Sequence, residues 1–210
     1  NEASASRNTF RIGDAESEQL TFVTNAGYSF NESEIYGFFT YSQRDNVSAT
    51  FFRDEKNAVN NPILADNQST IPSGFLPKIK TDIKDISYNL GYQTEVNNDA
   101  TLDVSYTFGQ NSINYFTGET LNASYVHHLE DTTQLTPKEI RSQTPRGADA
   151  YALSLSLTAL NASYQQPLEH ANLTVGTELR TENYSIEAGE EYSYSDYNTE
   201  DHDHLPNQPA

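Results

Sequence analysis

Apolar and polar residues alternate along several stretches of this chain, with a period of two. In the clearest stretch Leu102, Val104, Tyr106 and Phe108 are separated by polar residues. Because successive side chains of a β-strand point to opposite faces, this pattern predicts a strand with one apolar and one polar face. The alternation predicts six strands, at Glu18–Asn31, Ile35–Arg44, Ile83–Val96, Thr101–Phe116, Asp149–Gln165 and Asn172–Ile186.

The fifth and sixth strands follow the same rule. The apolar face of the fifth is predicted from Tyr151, Leu153, Leu155 and Leu157, and the polar face of the sixth from Glu178, Arg180 and Glu182. Charged residues also occur on the solvent face of a β-sandwich. The alternation therefore leaves a transmembrane barrel and a sandwich open, with the barrel favoured.

The predicted connections are alternately short and long. Short turns are predicted at 31–34, 97–99 and 165–170, where Pro167 is expected to end the strand. Long connections are predicted near 45–82 and 118–148, with a tail at 187–210. Outer-membrane barrels have short periplasmic turns and long external loops. Their strands need about 9–11 residues to cross the lipid, which these strands provide.

Composition narrows the class further. The 210 residues contain 12 Lys and Arg against 30 Asp and Glu, a net charge of −18, which argues against nucleic acid as a partner. Only 35% of residues are hydrophobic, so either the chain is partly disordered or its fold has a second, wet face. Its 14 Tyr and 10 Phe argue against disorder. The absence of cysteine excludes disulfides and thiolate chemistry.

Candidate metal ligands occur in the acidic tail. Asp201, His202, Asp203 and His204 combine carboxylate and imidazole groups, which suit Zn, Fe or Ni, although an acidic run is also typical of a solvated loop. The pair at 127–128, two histidines in the second long connection, is a further source of ligands. The chain has no Gly-x-Ser-x-Gly elbow and no glycine-rich phosphate loop, so the sequence predicts no enzyme and no cofactor.

Candidate ligand-binding residues are aromatic or cationic and lie near the predicted loops. Aromatic rings there can stack on sugars or on other rings, and guanidinium groups can face an anionic ligand. The same aromatic residues are also expected in the girdle at a membrane boundary. The candidates are Arg44, Phe51, Phe52, Tyr115, Phe116 and Arg180.

Several segments resemble the barrel of TonB-dependent outer-membrane receptors. They include the hairpin over 25–42, the loop end over 74–79, and the strands over 102–111 and 175–184. The resemblance implies a barrel of about twenty-two strands, filled by an N-terminal plug. It also implies uptake of a scarce nutrient, such as a ferric siderophore, across the bacterial outer membrane with energy delivered through TonB.

The resemblance covers most of residues 11–194 but no plug, TonB box or aromatic C-terminal strand. It therefore implies an internal section of the barrel wall, with outer-membrane lipid, the rest of the receptor and, through its plug, TonB as partners. The whole of 1–210 is then one partial barrel region. The alternatives are a soluble secreted β-sandwich that binds carbohydrate or a protein, and a β protein that self-assembles through its strand edges.

Overall fold

The computed structural model describes residues 15–197. They form one open antiparallel sheet in which each strand pairs with the next along the chain, so the predicted six-stranded meander is confirmed. The strands are β1 (Glu16–Phe30), β2 (Ser33–Ala49), β3 (Lys78–Val96), β4 (Ala100–Gly118), β5 (Gly147–Leu168) and β6 (Ala171–Ala188). Within the described residues, β1 and β6 are the two edges of the sheet.

Three tight turns lie at one end of the sheet, which we call the turn end. They are Asn31-Glu32, a 3-10 turn at Asn97–Asp99, and Glu169-His170. Asn31 and Asp99 adopt positive φ angles of 52° and 58°. Asn and Asp tolerate this left-handed conformation better than most residues, which explains why these positions turn the chain. The opposite end, where the long connections leave the sheet, is called the loop end.

The strands extend further toward the loop end than predicted. β2 continues to Ala49 and β3 already begins at Lys78, so the first long connection covers only 50–77. The second covers 119–146, and β6 ends at Ala188. Polar residues continue these strands because each pairs with a neighbouring strand on the sheet.

The prediction that Pro167 ends its strand is wrong. Pro167 pairs with Asn172 of β6, and β5 ends at Leu168. The pairing between β4 and β5 stops at Gln165. Since proline lacks only the backbone N–H, it is tolerated where one side of the strand has no partner.

The long connections and the segment after β6 pack together at the loop end of the sheet. This packed region consists of residues 50–77, 119–146 and 189–197, and we call it the loop lobe. It contains α1 (Ala123–Thr132), α2 (Pro137–Gln143) and the short α3 (Glu191–Tyr194). Leu64, Val126, Leu129 and Ile140 form its buried core, so the first connection packs against the helices of the second.

The helices of the loop lobe begin at recognisable caps. The Asn122 side chain accepts a hydrogen bond from the backbone N–H of Tyr125 at the start of α1. At α2, Thr136 and Glu139 form a reciprocal capping box, and Pro137 occupies the first turn. Each cap satisfies backbone N–H groups that a helix start leaves without partners.

Candidate functional site

The pairing register assigns each strand residue to one of two faces, because directly paired residues of antiparallel strands lie on the same face. One face carries Ile35, Tyr92 and Val104 in a single row across three strands, and we call it the band face. The other carries Tyr36, Gly91 and Ser105 in the adjacent row, and we call it the opposite face. The two faces differ sharply in chemistry.

The turn half of the band face is a continuous apolar band across all six strands. Phe22 lies 6.1 Å from Phe39, and Tyr88 lies 5.3 Å from Phe108, measured between ring centroids. These rings lie in the part of the band toward the loop end, while Tyr28, Tyr92 and Tyr164 lie near the turns. The larger residues of the band are Leu20, Phe22, Tyr28, Phe30, Ile35, Phe39, Tyr41, Ile86, Tyr88, Leu90, Tyr92, Leu102, Val104, Tyr106, Phe108, Leu160, Tyr164, Leu173, Val175 and Leu179.

The border of this band toward the loop end is a slanted line. From β1 to β6, the band ends toward the loop end at Leu20, Tyr41, Ile86, Phe108, Leu160 and Leu179, and Val47 and Phe116 are isolated apolar residues further along this face. The register places this border six residues closer to the turns at β6 than at β1, over five strand boundaries. The mean step is about 4 Å along the strand for each strand spacing of about 4.8 Å, which corresponds to a tilt of about 40°.

Beyond the border, the band face becomes polar. Lys84 follows Ile86 on this face of β3, Gln110 follows Phe108 on β4, and Ser156 lies beyond Leu160 on β5. On β3 to β6, the large apolar residues of the loop half lie mostly on the opposite face, with Phe116 as an exception. Ile83, Ile113, Leu153 and Ile186 form one row there across β3 to β6.

The prediction that Tyr151, Leu153, Leu155 and Leu157 share one face of the fifth strand is confirmed. That face is the opposite face, and not the band face that carries Leu102, Val104, Tyr106 and Phe108 of β4. On β5 the apolar positions change parity after Leu157, and the pairing with β4 and β6 is unbroken there. The apolar positions therefore change parity because the apolar residues move to the other face of the sheet, and not because an extra residue shifts the register.

The turn half of the opposite face is a polar network. The Tyr36 hydroxyl donates to a carboxylate oxygen of Asp103, two strands away, at 2.8 Å. The Tyr36 ring crosses over Gly91, where a Cβ would lie 2.1 Å from its Cζ. Nearby, Asn89 Nδ2 donates to Thr107 Oγ1 at 2.8 Å. Side chains thus connect β2, β3 and β4 across this face.

The opposite face carries more negative than positive charge. Its paired strand positions hold six carboxylates and two guanidinium groups. The carboxylates belong to Glu34, Asp85, Glu95, Asp103, Glu178 and Glu182. Of the two cations, Arg180 donates a hydrogen bond to Glu182 on its own strand, whereas Arg44 is exposed.

Polar contacts connect the parts of the loop lobe. Arg141 of α2 donates to both carboxylate oxygens of Asp66 in the first long connection, at 2.7 and 2.8 Å. These hydrogen bonds lower the pKa of Asp66, because they favour its charged form. A Glu130 carboxylate of α1 also accepts from the backbone N–H of Ala65 at 3.0 Å.

Tyr192 joins the segment after β6 to the second long connection. Its hydroxyl accepts from the backbone N–H of Asn122 and donates to the carbonyl of Pro145, both at 2.8 Å. Burial raises the pKa of Tyr192. Its ring meets the Tyr125 ring edge-on at 5.1 Å, and Tyr197 does the same from another side at 5.0 Å. The loop lobe is therefore preorganised around aromatic and hydrogen-bonded contacts.

The predicted ligand-binding residues do not form one site. Arg44 and Arg180 lie on the opposite face but in β2 and β6, separated by four strand spacings across the sheet, about 19 Å, and by six residues along the strands, about 20 Å. Tyr115 lies on the opposite face and stacks on Tyr151 at 4.5 Å, whereas its neighbour Phe116 lies on the band face.

The two predicted loop aromatics differ from each other. Phe51 is exposed, and Phe52 packs against Gly74. Sequence reasoning missed two features: the network around Tyr36 and the Tyr192 contacts. Neither has a local motif, since each joins residues far apart in the chain.

The predicted metal ligands receive no support from the described part of the chain. Asp201, His202, Asp203 and His204 lie outside the described residues. His127 and His128 lie in α1 and not in an irregular loop, and both are half-buried. Within residues 15–197, no group of three or more His, Asp or Glu side chains is arranged to hold a metal ion.

Comparison with known proteins gives no identification. No family model matches the chain. No curated protein matches it either. In the described segment, none of the helices has the length and apolar character needed to span a bilayer.

Proposed function

We propose that this chain is a section of the wall of a bacterial outer-membrane β-barrel, of the TonB-dependent receptor class, that takes up a scarce nutrient such as a ferric siderophore. In this arrangement the band face contacts lipid, and the opposite face lines the aqueous interior. The loop lobe lies on the external side. The partners are outer-membrane lipid, the rest of the barrel, its plug and, through the plug, TonB.

The observation that carries this proposal is the slanted border of the band. Strands of membrane barrels tilt by about 35–45° from the membrane normal. The surface of a bilayer must then cross successive strands at shifted positions, and the observed shift corresponds to about 40°.

The height of the band on β1 agrees with this argument, whereas on β4 and β6 its large residues, Leu102 to Phe108 and Leu173 to Leu179, span only seven positions each. On β1 it runs from Leu20 to Phe30, and at that tilt eleven residues span about 26 Å, close to the apolar height of about 25 Å in such barrels. A β-sandwich gives no reason for an apolar face that ends part-way along the strands while, on β3 to β6, the opposite face becomes apolar beyond that point. The band residues also remain exposed, with Leu90 at 60% and Leu179 at 69%.

A single-cysteine scan tests the membrane placement, because the 210 residues contain no cysteine. Labels at Leu90, Tyr106 and Val104 should be quenched by lipid-soluble agents in bilayers. Labels at Asn89 and Ser105, adjacent in sequence but on the opposite face, should respond to water-soluble agents. A label at Lys84, beyond the border of the band, should also respond to water-soluble agents. Equal water access at Leu90 and Asn89 would contradict the proposal.

Uptake itself requires a test in cells that produce the full receptor. Radiolabelled ferric siderophores should enter cells with the intact gene, and dissipating the proton gradient should stop entry while surface binding continues. Cells lacking the gene should neither bind nor import the siderophore that the receptor uses. Uptake that is unaffected by gene loss across the panel would overturn the transport role.

The open edges favour a second candidate, a self-assembling β protein. β1 and β6 have exposed side chains at every position and a partner on one side only within the described residues. Such edges pair readily with other strands. Light scattering across a dilution series in plain buffer distinguishes the two: soluble particles whose size changes with concentration favour self-assembly, and a requirement for detergent or lipid favours the barrel.

A further inference from the structure

A notch opens in the opposite face where its polar turn half meets its apolar loop half. Its volume is about 250 Å³. The floor is Gly109 of β4, and side chains of β3 and β5 rise on either side. The residues of this face that line it are Asp85, Ser87, Gly109, Asn111, Leu155 and Leu157.

The two walls of the notch differ in chemistry. Ser87 and Leu157 flank Gly109 in one row, and Asp85 and Leu155 flank Asn111 in the next. β3 therefore supplies a carboxylate and a hydroxyl, while β5 supplies two leucines. A ligand that fits between them must be polar on one side and apolar on the other.

Gly109 leaves the notch open without being required by the backbone. A Cβ at this position would meet only the Cβ of Ser87, at 3.9 Å, and the backbone angles are those that other residues adopt. The free space above Gly109 is therefore a property of the surface, and a larger side chain can fill it without distorting the strand.

The charge of the notch is negative. Asp85 accepts a hydrogen bond from Asn111 Nδ2 at 2.5 Å, and no Lys, Arg or His of the described chain forms an ion pair with it. The carboxylates of this face outnumber its guanidinium groups. Arg180 is already bonded to Glu182, and Arg44, which lies diagonally from Asp85 on the neighbouring β2, forms no ion pair with it. A cation is therefore attracted here, and an anion is repelled.

We propose that this notch is a binding subsite for the cationic end of an amphiphilic ligand. An ammonium group donates to Asp85 and Ser87, and the attached ring or hydrocarbon packs on Leu155 and Leu157. This deepens the proposed function and rests on it, since the notch then faces the interior through which the nutrient passes. It reverses the expectation of an anionic ligand at Arg44 and Arg180. Because complete ligand pockets usually exceed about 300 Å³, the notch holds part of a larger nutrient.

The test uses three probes of similar shape with the full protein in lipid nanodiscs. They are phenethylammonium, 3-phenylpropionate and phenethyl alcohol, and binding is measured by saturation-transfer NMR titration. Phenethylammonium should bind about tenfold more tightly than the carboxylate. Asp85→Asn should weaken phenethylammonium about tenfold and leave the alcohol unchanged. Gly109→Val should abolish binding of all three by filling the notch.

Ser163→Val is the matched control, because it adds bulk on the same face near the turns and should leave binding unchanged. Gly109→Ala fills the notch less than valine does, and Leu157→Ser removes part of its apolar wall. Each should weaken binding of phenethylammonium. Unaltered binding in Gly109→Val, or equal binding of carboxylate and ammonium, would overturn the subsite. The cysteine scan in the same nanodiscs keeps the two proposals apart. Correct labelling without probe binding removes only the subsite, whereas probe binding with water-accessible Leu90 removes the membrane placement and, with it, the role of the notch in nutrient passage.

Discussion

Large apolar side chains are buried in the core of the loop lobe but exposed on the band face of the sheet. In the lobe, Val126 and Ile140 are 0% and 2% exposed and belong to one buried cluster with Leu64 and Leu129, as in the core of a soluble protein. In the strands, the buried apolar residues among those described are three alanines, Ala100, Ala148 and Ala159. The lobe therefore buries its own apolar side chains, whereas those of the band are left exposed, as the proposed contact with lipid requires.

The largest effect is expected from a cavity in the lobe. Ile140→Ala should destabilise the lobe by about 2–5 kcal/mol, because the buried side chain leaves a void among Leu64, Val126 and Leu129. Hydrogen exchange should accelerate at the amides of α1 and α2 and remain unchanged at β3 and β4.

Ile35→Ala is the matched control for this cavity. Ile35 is 44% exposed on the band face, so its truncation leaves no enclosed void and should cost much less. If hydrogen exchange accelerated equally in both variants, the contrast between a buried lobe core and an exposed band would be contradicted.

A charge in the middle of the band should have the next largest effect. Leu90 lies on the band face of β3 between Tyr88 and Tyr92. Leu90→Lys should destabilise the folded protein by about 2–4 kcal/mol in bilayers, the cost of lysine near the midplane of a membrane barrel. Denaturant unfolding in lipid vesicles measures this loss.

Asn89→Lys places the same charge one residue away, on the opposite face. It should cost much less, since that side chain faces water in the proposed arrangement. If the two lysine variants were equally stable in bilayers, the difference in solvent between the two faces would be refuted.

Two glycines on the opposite face should respond differently to the same change. Gly91→Ala forces the Tyr36 ring to move and breaks its bond to Asp103, so we expect a loss of about 1–3 kcal/mol. Gly109→Ala meets open space and should be close to neutral. Unfolding midpoints of both variants measure the contrast, and a neutral Gly91→Ala would show that Tyr36 is not held in place.

Local sequence patterns were sufficient for the strands and the turns. The period-two alternation located all six strands, and Asn31 and Asp99 marked two of the turns. Strand ends were missed where polar residues such as Lys78 and Lys80 extend the sheet, because their pairing partners are distant in sequence. The capping signal Thr136-Pro137-Lys138-Glu139 was present for α2 and would have indicated a helix in the second connection.

The assignment of residues to the two faces and the packing of the loop lobe could not be predicted from the alternation. On β5 the apolar residues before Thr158 lie on the opposite face, and those after it lie on the band face. The alternation in either half of the strand therefore predicts a different apolar face for the whole strand. The contact of Arg141 with Asp66 joins positions 75 residues apart. Candidate ligand residues chosen by type were therefore dispersed, whereas the notch at Gly109 arises from three strands brought together.

The smallest expected effect is a response of the lobe to acid. Hydrogen bonds from Arg141 lower the pKa of Asp66 below its ordinary value of 3.8. A lowered pKa in the folded state means that the contact contributes its full stability above pH 3.8 and loses it as the pH falls through the lowered value. Carboxyl NMR should therefore show Asp66 titrating below 3.8, and Arg141→Gln should return it toward that value while α1 and the strands keep their shifts. Since Asp66 is solvent-accessible, we expect a shift in local exchange at residues 64–70 and not unfolding of the sheet. An Asp66 that titrates at its ordinary value in the unaltered protein would mean that the two long connections are not joined at this point.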